Sequence, residues 1–80
     1  MLPNTISLAE LTTGERATLL QFADSRAVIN RLASLGFTPG APVDMTQNYG
    51  RGPLIVTIRG ARVALGRGEA AKIFVERNVE

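Results

Sequence analysis

The sequence predicts a mainly β fold with short helices: a small five-stranded barrel with one helix inserted after the first strand. Apolar and polar residues alternate over short runs, as at Val43 and Met45 against Asp44 and Thr46, and again at Leu54, Val56 and Ile58. That is the period of half-buried strands. Glycine- and proline-containing turns recur at close spacing, and a single segment, Val28, Leu32 and Leu35, keeps the i, i+4, i+7 rhythm of a helix. A chain of 80 residues buries only roughly 60% of its unfolded surface. Its interior must therefore be thin and filled by aliphatic side chains, as in a small closed barrel.

Each element has a local reason. Ser7-Leu8-Ala9-Glu10 has the spacing of a capping box and predicts one helical turn. Thr12-Thr13-Gly14 ends it, and Glu15 to Leu20 reads as the first strand, with Ala17 and Leu19 on one face. Leu20 and Phe22 fall on the opposite phase, which predicts a bend or bulge near Leu19. Asp24 or Ser25 is placed to cap the helix, whose solvent face carries Arg26, Asn30, Arg31 and Ser34. Gly36 supplies a left-handed helix stop, and Thr38-Pro39-Gly40-Ala41 fits a type II turn.

Pro42 opens the next strand, and Asn48 to Pro53 reads as loop. Leu54, Val56 and Ile58 face inward, Gly60-Ala61 reads as a two-residue turn, and Val63 and Leu65 return on the same face. This register sets Arg59 opposite Arg62, Ile58 opposite Val63 and Val56 opposite Leu65. Glu69 to Lys72 predicts one more helical turn, and Ile73 and Val75 supply a last inward pair.

Composition narrows the chemistry. Cysteine is absent, which removes disulfides, thiol nucleophiles and thiolate metal ligands, and a reducing compartment is compatible with that. Histidine is absent too, and with it the usual general base near neutral pH and the commonest nitrogen ligand for iron or zinc. No catalytic residue is expected, because the carboxylates, Tyr49 and the hydroxyls lack a partner suited to activating them. The available metal ligands, Glu10, Glu15, Asp24, Asp44, Glu69 and Glu76, are hard oxygens dispersed along the chain, so neither a metal site nor a cofactor is expected. The sequence pI near 9.9 coexists with a net charge of only +2. With no His or Cys to titrate between the carboxylates and Tyr or Lys, a small arginine excess carries the pI upward. No apolar run approaches the roughly 20 residues of a membrane span, and Met1 to Thr5 lacks a basic lead into a hydrophobic stretch. A cytoplasmic protein without direct membrane insertion is the expectation.

Four segments, taken in order, resemble a known family: Leu8-x-x-Leu11-x-x-Gly14-Glu15; Arg31-Leu32-x-x-Leu35-Gly36-Phe37-Thr38-Pro39-Gly40; Arg59-Gly60-x-Arg62-x-Ala64-Leu65; and Glu69-Ala70-Ala71. In order and spacing they resemble the FeoA family of ferrous-iron transport accessory proteins. The central Leu-x-x-Leu-Gly-x-x-Pro-Gly element is the most specific part. The resemblance implies one SH3-like domain over residues 1–80, and a cytoplasmic role beside the ferrous-iron permease, whose N-terminal domain is a GTPase. The same domain type occurs at the C-terminus of diphtheria-toxin-repressor-type metal sensors. The chain departs from the family pattern at Gly50-Arg51-Gly52-Pro53, where the family often reads Gly-Asp-Pro, and at Gly66, where a basic residue is common.

The expected partner surface combines Arg59 and Arg62 around the tight turn, Arg51 and Arg67 in neighbouring loops, and Phe37 as an exposed apolar anchor. Planar guanidinium groups suit bidentate contact with carboxylates, and a charged rim equally suits a solvated edge that resists aggregation. Leu32 and Leu35 are expected in the core with Val28, and Gly36, Pro39 and Gly40 are expected as backbone formers, while Ile29, Phe22 and Phe74 are candidates for surface contact. The leading expectation is an adaptor of the permease's GTPase region. Two rivals are a regulatory module in a metal-dependent repressor system and a small nucleic-acid-binding barrel. Nucleic acid is not the expected partner, since Tyr49 and three Phe are a meagre stacking supply. Association between copies of the chain is compatible with the sequence.

Overall fold

Side chains close the first turn as their spacing predicts. The Ser7 amide and hydroxyl both donate to Glu10 Oε1, at 3.3 and 3.2 Å, which fixes a single 3-10 turn over Leu8–Glu10. The computed structural model describes residues 4–23 and 26–77. The expected helix caps Asp24 and Ser25 lie outside the described residues. In chain order the elements are β1 (Thr5–Ser7), the 3-10 turn, β2 (Arg16–Phe22), α1 (Arg26–Ser34), β3 (Pro42–Gln47), β4 (Leu54–Ile58), β5 (Ala61–Leu65), α2 (Arg67–Ala70) and β6 (Ile73–Arg77).

The strands form one antiparallel sheet in the order β1-β6-β2-β3-β4-β5. Among the described residues six strands stand where five were expected. The extra one, β1, is three residues long, too short to show a period of its own, and it is defined by pairing with β6 at the far end of the chain. The register shift in β2 falls between Leu19 and Gln21, where the change of apolar phase predicts it. A second shift, between Met45 and Gln47, leaves no such trace in the sequence.

Every strand feeds one core. Ala17 and Leu19, Val43 and Met45, Leu54, Val56 and Ile58, Leu65, and Ile73 and Val75 are all buried in a single cluster. Ile6 of edge strand β1 also packs on it, and α2 packs against the 3-10 turn. A sheet whose two ends serve one cluster must be rolled, and each large aliphatic buried there is worth roughly 1.5–3 kcal/mol.

The α1 terminus corrects two expectations at once. Gly36 takes φ 104°, and the amides of Gly36 and Phe37 donate to Ala33 and Leu32 carbonyls, both at 3.0 Å. This is a Schellman motif, which brings the second residue past the helix against the apolar residue five positions before it. Phe37 is consequently 0% exposed and Leu32 1% exposed. The expected exposed anchor is a core residue. Leu35, expected inside, is 40% exposed, because the helical rhythm stops one residue before it and the chain turns left-handed. The type II turn follows as predicted: the Ala41 amide donates to the Thr38 carbonyl at 3.0 Å, and Gly40 takes φ 89°.

The candidate docking hairpin

Strands β4 and β5 build the face on which the arginines were expected to gather. The turn between them is Arg59-Gly60, not Gly60-Ala61, and the register is Ile58 with Ala61, Thr57 with Arg62, Val56 with Val63 and Leu54 with Leu65. Both registers keep the same residues inward, so alternation cannot choose between them. Cross-strand pairing does choose: the observed register gives every inward residue of β4 an apolar partner. It also sets Arg62 against Thr57 rather than against a second arginine.

The observed turn needs positive φ at both central residues, and Arg59 takes φ 48° beside Gly60 at 81°. Side-chain contacts hold Arg59 in that conformation. Its Nε donates to the Gly36 carbonyl at 3.3 Å and its Nη2 to Thr38 Oγ1 at 3.1 Å. The arginine stem passes so close to Gly36 that a Cβ there would meet Arg59 Cδ at 3.0 Å. Gly36 is thus required twice, for its φ and for this passage.

Arg67 lies at the opposite end of the hairpin, in the first position of α2 rather than in a loop. It is half-buried, its Nη2 donates to Asn48 Oδ1 at 2.8 Å, and its Nε is enclosed without a partner. Asn48 is the polar hub that sequence reasoning missed. Its Nδ2 donates to the carbonyls of Ala9 (3.1 Å) and Leu11 (2.7 Å), and its Oδ1 also accepts from the Gly50 amide at 3.0 Å. The signal available was Asn two residues before Gly, the pattern of a side chain that folds back on its own backbone. Beyond it Tyr49 is 75% exposed, and Arg51 stands in solvent.

Of the expected partner residues, therefore, Arg59 is drawn from the turn onto Gly36 and Thr38, Arg62 stands exposed opposite Thr57, Arg51 and Arg67 lie toward the other end of the hairpin, and Phe37 is withdrawn. Residues 45–68 hold Arg51, Arg59, Arg62 and Arg67 and not one Asp or Glu. Elsewhere three arginines meet carboxylates. Arg16 Nε donates to Asp44 Oδ1 at 2.6 Å, Arg77 Nε to Glu15 Oε2 at 3.0 Å, and Arg31 pairs with Glu69. The Glu15 carboxyl is held below its usual range chiefly by the Thr12 amide and hydroxyl that donate to it, and then by Arg77. Hydrogen bonding from Arg16 likewise holds Asp44 below the ordinary aspartate value. Among the described residues no three carboxylates gather in a group that could hold a metal ion, and no helix is long and apolar enough to cross a membrane.

A family model described as FeoA domain matches residues 6–77. The chain belongs to the FeoA domain family. A protein of Methanocaldococcus jannaschii that carries the provisional name Fe(2+) transport protein A is 33% identical over 69 residues, spanning 86% of this chain and 83% of that protein. The solution structure of FeoA from Chlorobium tepidum superposes with a TM-score of 0.86 at 31% identity, over 92% of this chain and 71% of that one. The zinc complex of Stenotrophomonas maltophilia FeoA, described as a procaryotic SH3 domain protein, matches with a TM-score of 0.76 at 32% identity, over 89% of each chain. The rolled sheet is accordingly the SH3-like barrel of FeoA structures. The fold alone is shared with a manganese-dependent transcriptional repressor, at 23% identity and a TM-score of 0.83, over 98% of this chain and 44% of the repressor.

Proposed function

We propose that this protein is a cytoplasmic, non-catalytic accessory of ferrous iron uptake that docks on the GTPase region of the iron permease through its β4–β5 hairpin. Iron is the cargo of that system, and this chain acts on the transporter rather than holding the ion. Family membership supports the setting, and relatives carry Fe(2+) transport in their names. The observation that carries the docking surface is the segregation of charge: residues 45–68 hold four arginines and no carboxylate, while Glu15, Asp44 and Glu69 are each paired with an arginine elsewhere in the fold. Guanidinium groups left in solvent favour association with an acidic surface, and steer it.

Capture of the permease's cytoplasmic region by the immobilised chain, with GDP or a non-hydrolysable GTP analogue bound, tests this. Retention in at least one nucleotide state is expected, with a loss on the order of tenfold for Arg51→Glu/Arg62→Glu. Absence of retention in both states overturns the adaptor reading. Likeness in fold to the manganese-dependent repressor favours one alternative, a regulatory module serving a separate DNA-binding protein, and capture of such a protein in place of the permease would select it.

A further inference from the structure

Among the described residues, strand β5 is an edge of the sheet and pairs with β4 alone. In a two-residue hairpin the closing pair, here Ile58 and Ala61, exchanges both hydrogen bonds, and bonded pairs then alternate along the ladder. Val56 with Val63 and Leu54 with Leu65 are the next bonded pairs in this register. Arg62 and Ala64 therefore direct their N–H and C=O groups away from β4. Among the described residues, no backbone hydrogen bond outside the ladders reaches either one, and both side chains are exposed. Edge strands are commonly blunted by a bulge, a proline or a covering segment. The register of β5 runs without the shifts seen in β2 and β3, and it contains no proline.

We propose that the open β5 edge accepts an extended partner segment as a seventh strand, and that this segment alternates acidic and apolar residues. The proposal deepens the docking role above and rests on it. A strand added at β5 places every second side chain beside Arg62 and Ala64 on the outer face, where carboxylates meet the unpaired Arg62 guanidinium. Intervening side chains fall beside half-buried Val63 on the inner side, which suits apolar residues. Over the five residues of β5 the edge runs about 17 Å, ending near Arg51 and Tyr49 at the Leu65 end. A second copy of the chain is the poorer occupant, since pairing β5 with itself brings together two hairpins that carry arginines and no carboxylate. A nucleic acid offers charge but no backbone ladder.

The probe is the capped peptide Glu-Val-Glu-Val-Glu-Val-Glu, titrated into the isotope-labelled full chain while amide resonances are followed. Saturable shifts centred on Arg62 and Ala64 are expected. The same peptide N-methylated at alternate positions, its lysine counterpart and a twelve-nucleotide oligo-dT should each fail to reproduce them. Ala64→Pro removes an outward donor without touching the β4 ladder and should abolish binding. Arg62→Glu, which leaves the backbone intact, should weaken it on the order of tenfold. No shifts up to the peptide's solubility limit, equal shifts from the N-methylated peptide, or equal shifts from oligo-dT overturn the strand-addition model. Permease captured equally well by wild type and Ala64→Pro overturns it too, while leaving the adaptor role standing. Loss of permease binding together with intact peptide binding rejects the adaptor role and spares the edge.

Discussion

Two regions of this barrel treat the same residue type in opposite ways. On the side built from β2, β3, β6 and the helices, Arg16, Arg31 and Arg77 each lie against a carboxylate. Along residues 45–68 no carboxylate is available, and the arginines divide by what remains. Arg59 and Arg67 bond neutral oxygens of the fold, and Arg51 and Arg62 keep to solvent. Charge in the first region is spent internally on a half-exposed surface, where each pair adds little. In the second, two guanidinium groups meet only solvent. Net charge or pI alone hides this, because the contrast lies in arrangement.

Substitutions can break or sharpen that contrast, and the largest effect belongs to the core both regions share. Phe37→Ala should cost about 3–5 kcal/mol in denaturant unfolding, whereas Leu35→Ala, at the exposed helix cap, should stay within about 1 kcal/mol. Asn48→Ala comes next. It unties the 3-10 segment, the β3–β4 loop and the Arg67 guanidinium together, and should cost about 2–3 kcal/mol for the buried polar groups left unpaired, with the amide of Gly50 exchanging faster. Gly36→Ala should cost about 1–2 kcal/mol from its left-handed φ plus the displacement of Arg59. A double-mutant cycle with Arg59→Ala separates the two, because only the clash disappears when the long side chain is removed.

Smaller effects test the charge pairs themselves. Glu15→Gln should lose about 1 kcal/mol at neutral pH. Because the folded carboxyl titrates below its usual range, this contribution is present above the ordinary glutamate value and is lost as pH falls through the folded value. Stability curves of wild type and the Gln variant should therefore converge on acidification, apart from the parallel loss at Asp44. Arg62→Ala should change stability by no more than about 0.5 kcal/mol while weakening partner capture. A large loss of stability there would mean that the basic region, too, is spent on the fold.

Sequence periodicity carried the architecture well. The inward residues of β3, β4 and β6, the bulge after Leu19, the capping box at Ser7 and the type II turn at Pro39-Gly40 all follow from local rules, since each is decided by neighbours within a few positions. What escaped the sequence was decided at a distance. Strand β1 exists through β6, and the turn at Arg59-Gly60 is selected by three apolar cross-strand pairs and by Gly36, which alternation within β4 and β5 does not register. Phe37 and Leu35 exchanged places because a helical period extended past the point where Gly36 reverses the chain. Arg51 in the loop and Arg62 on the outer face lay where expected, whereas Arg59 was drawn into the turn and Arg67 into α2. Their inequality was illegible, since it depends on which oxygen each guanidinium meets.

The strand order has a consequence in time. Strand β6, beginning at Ile73, lies between β1 and β2, so the first strand made has no ladder until the last has been synthesised. While the chain is still emerging from the ribosome, β2 to β5 can pair as a meander, but Ile6 and Leu8 must wait with their apolar surfaces uncovered. Closure then depends on a contact spanning nearly the whole described chain, the kind that slows folding and lengthens exposure to misassembly. A short first strand with little apolar surface keeps that wait inexpensive.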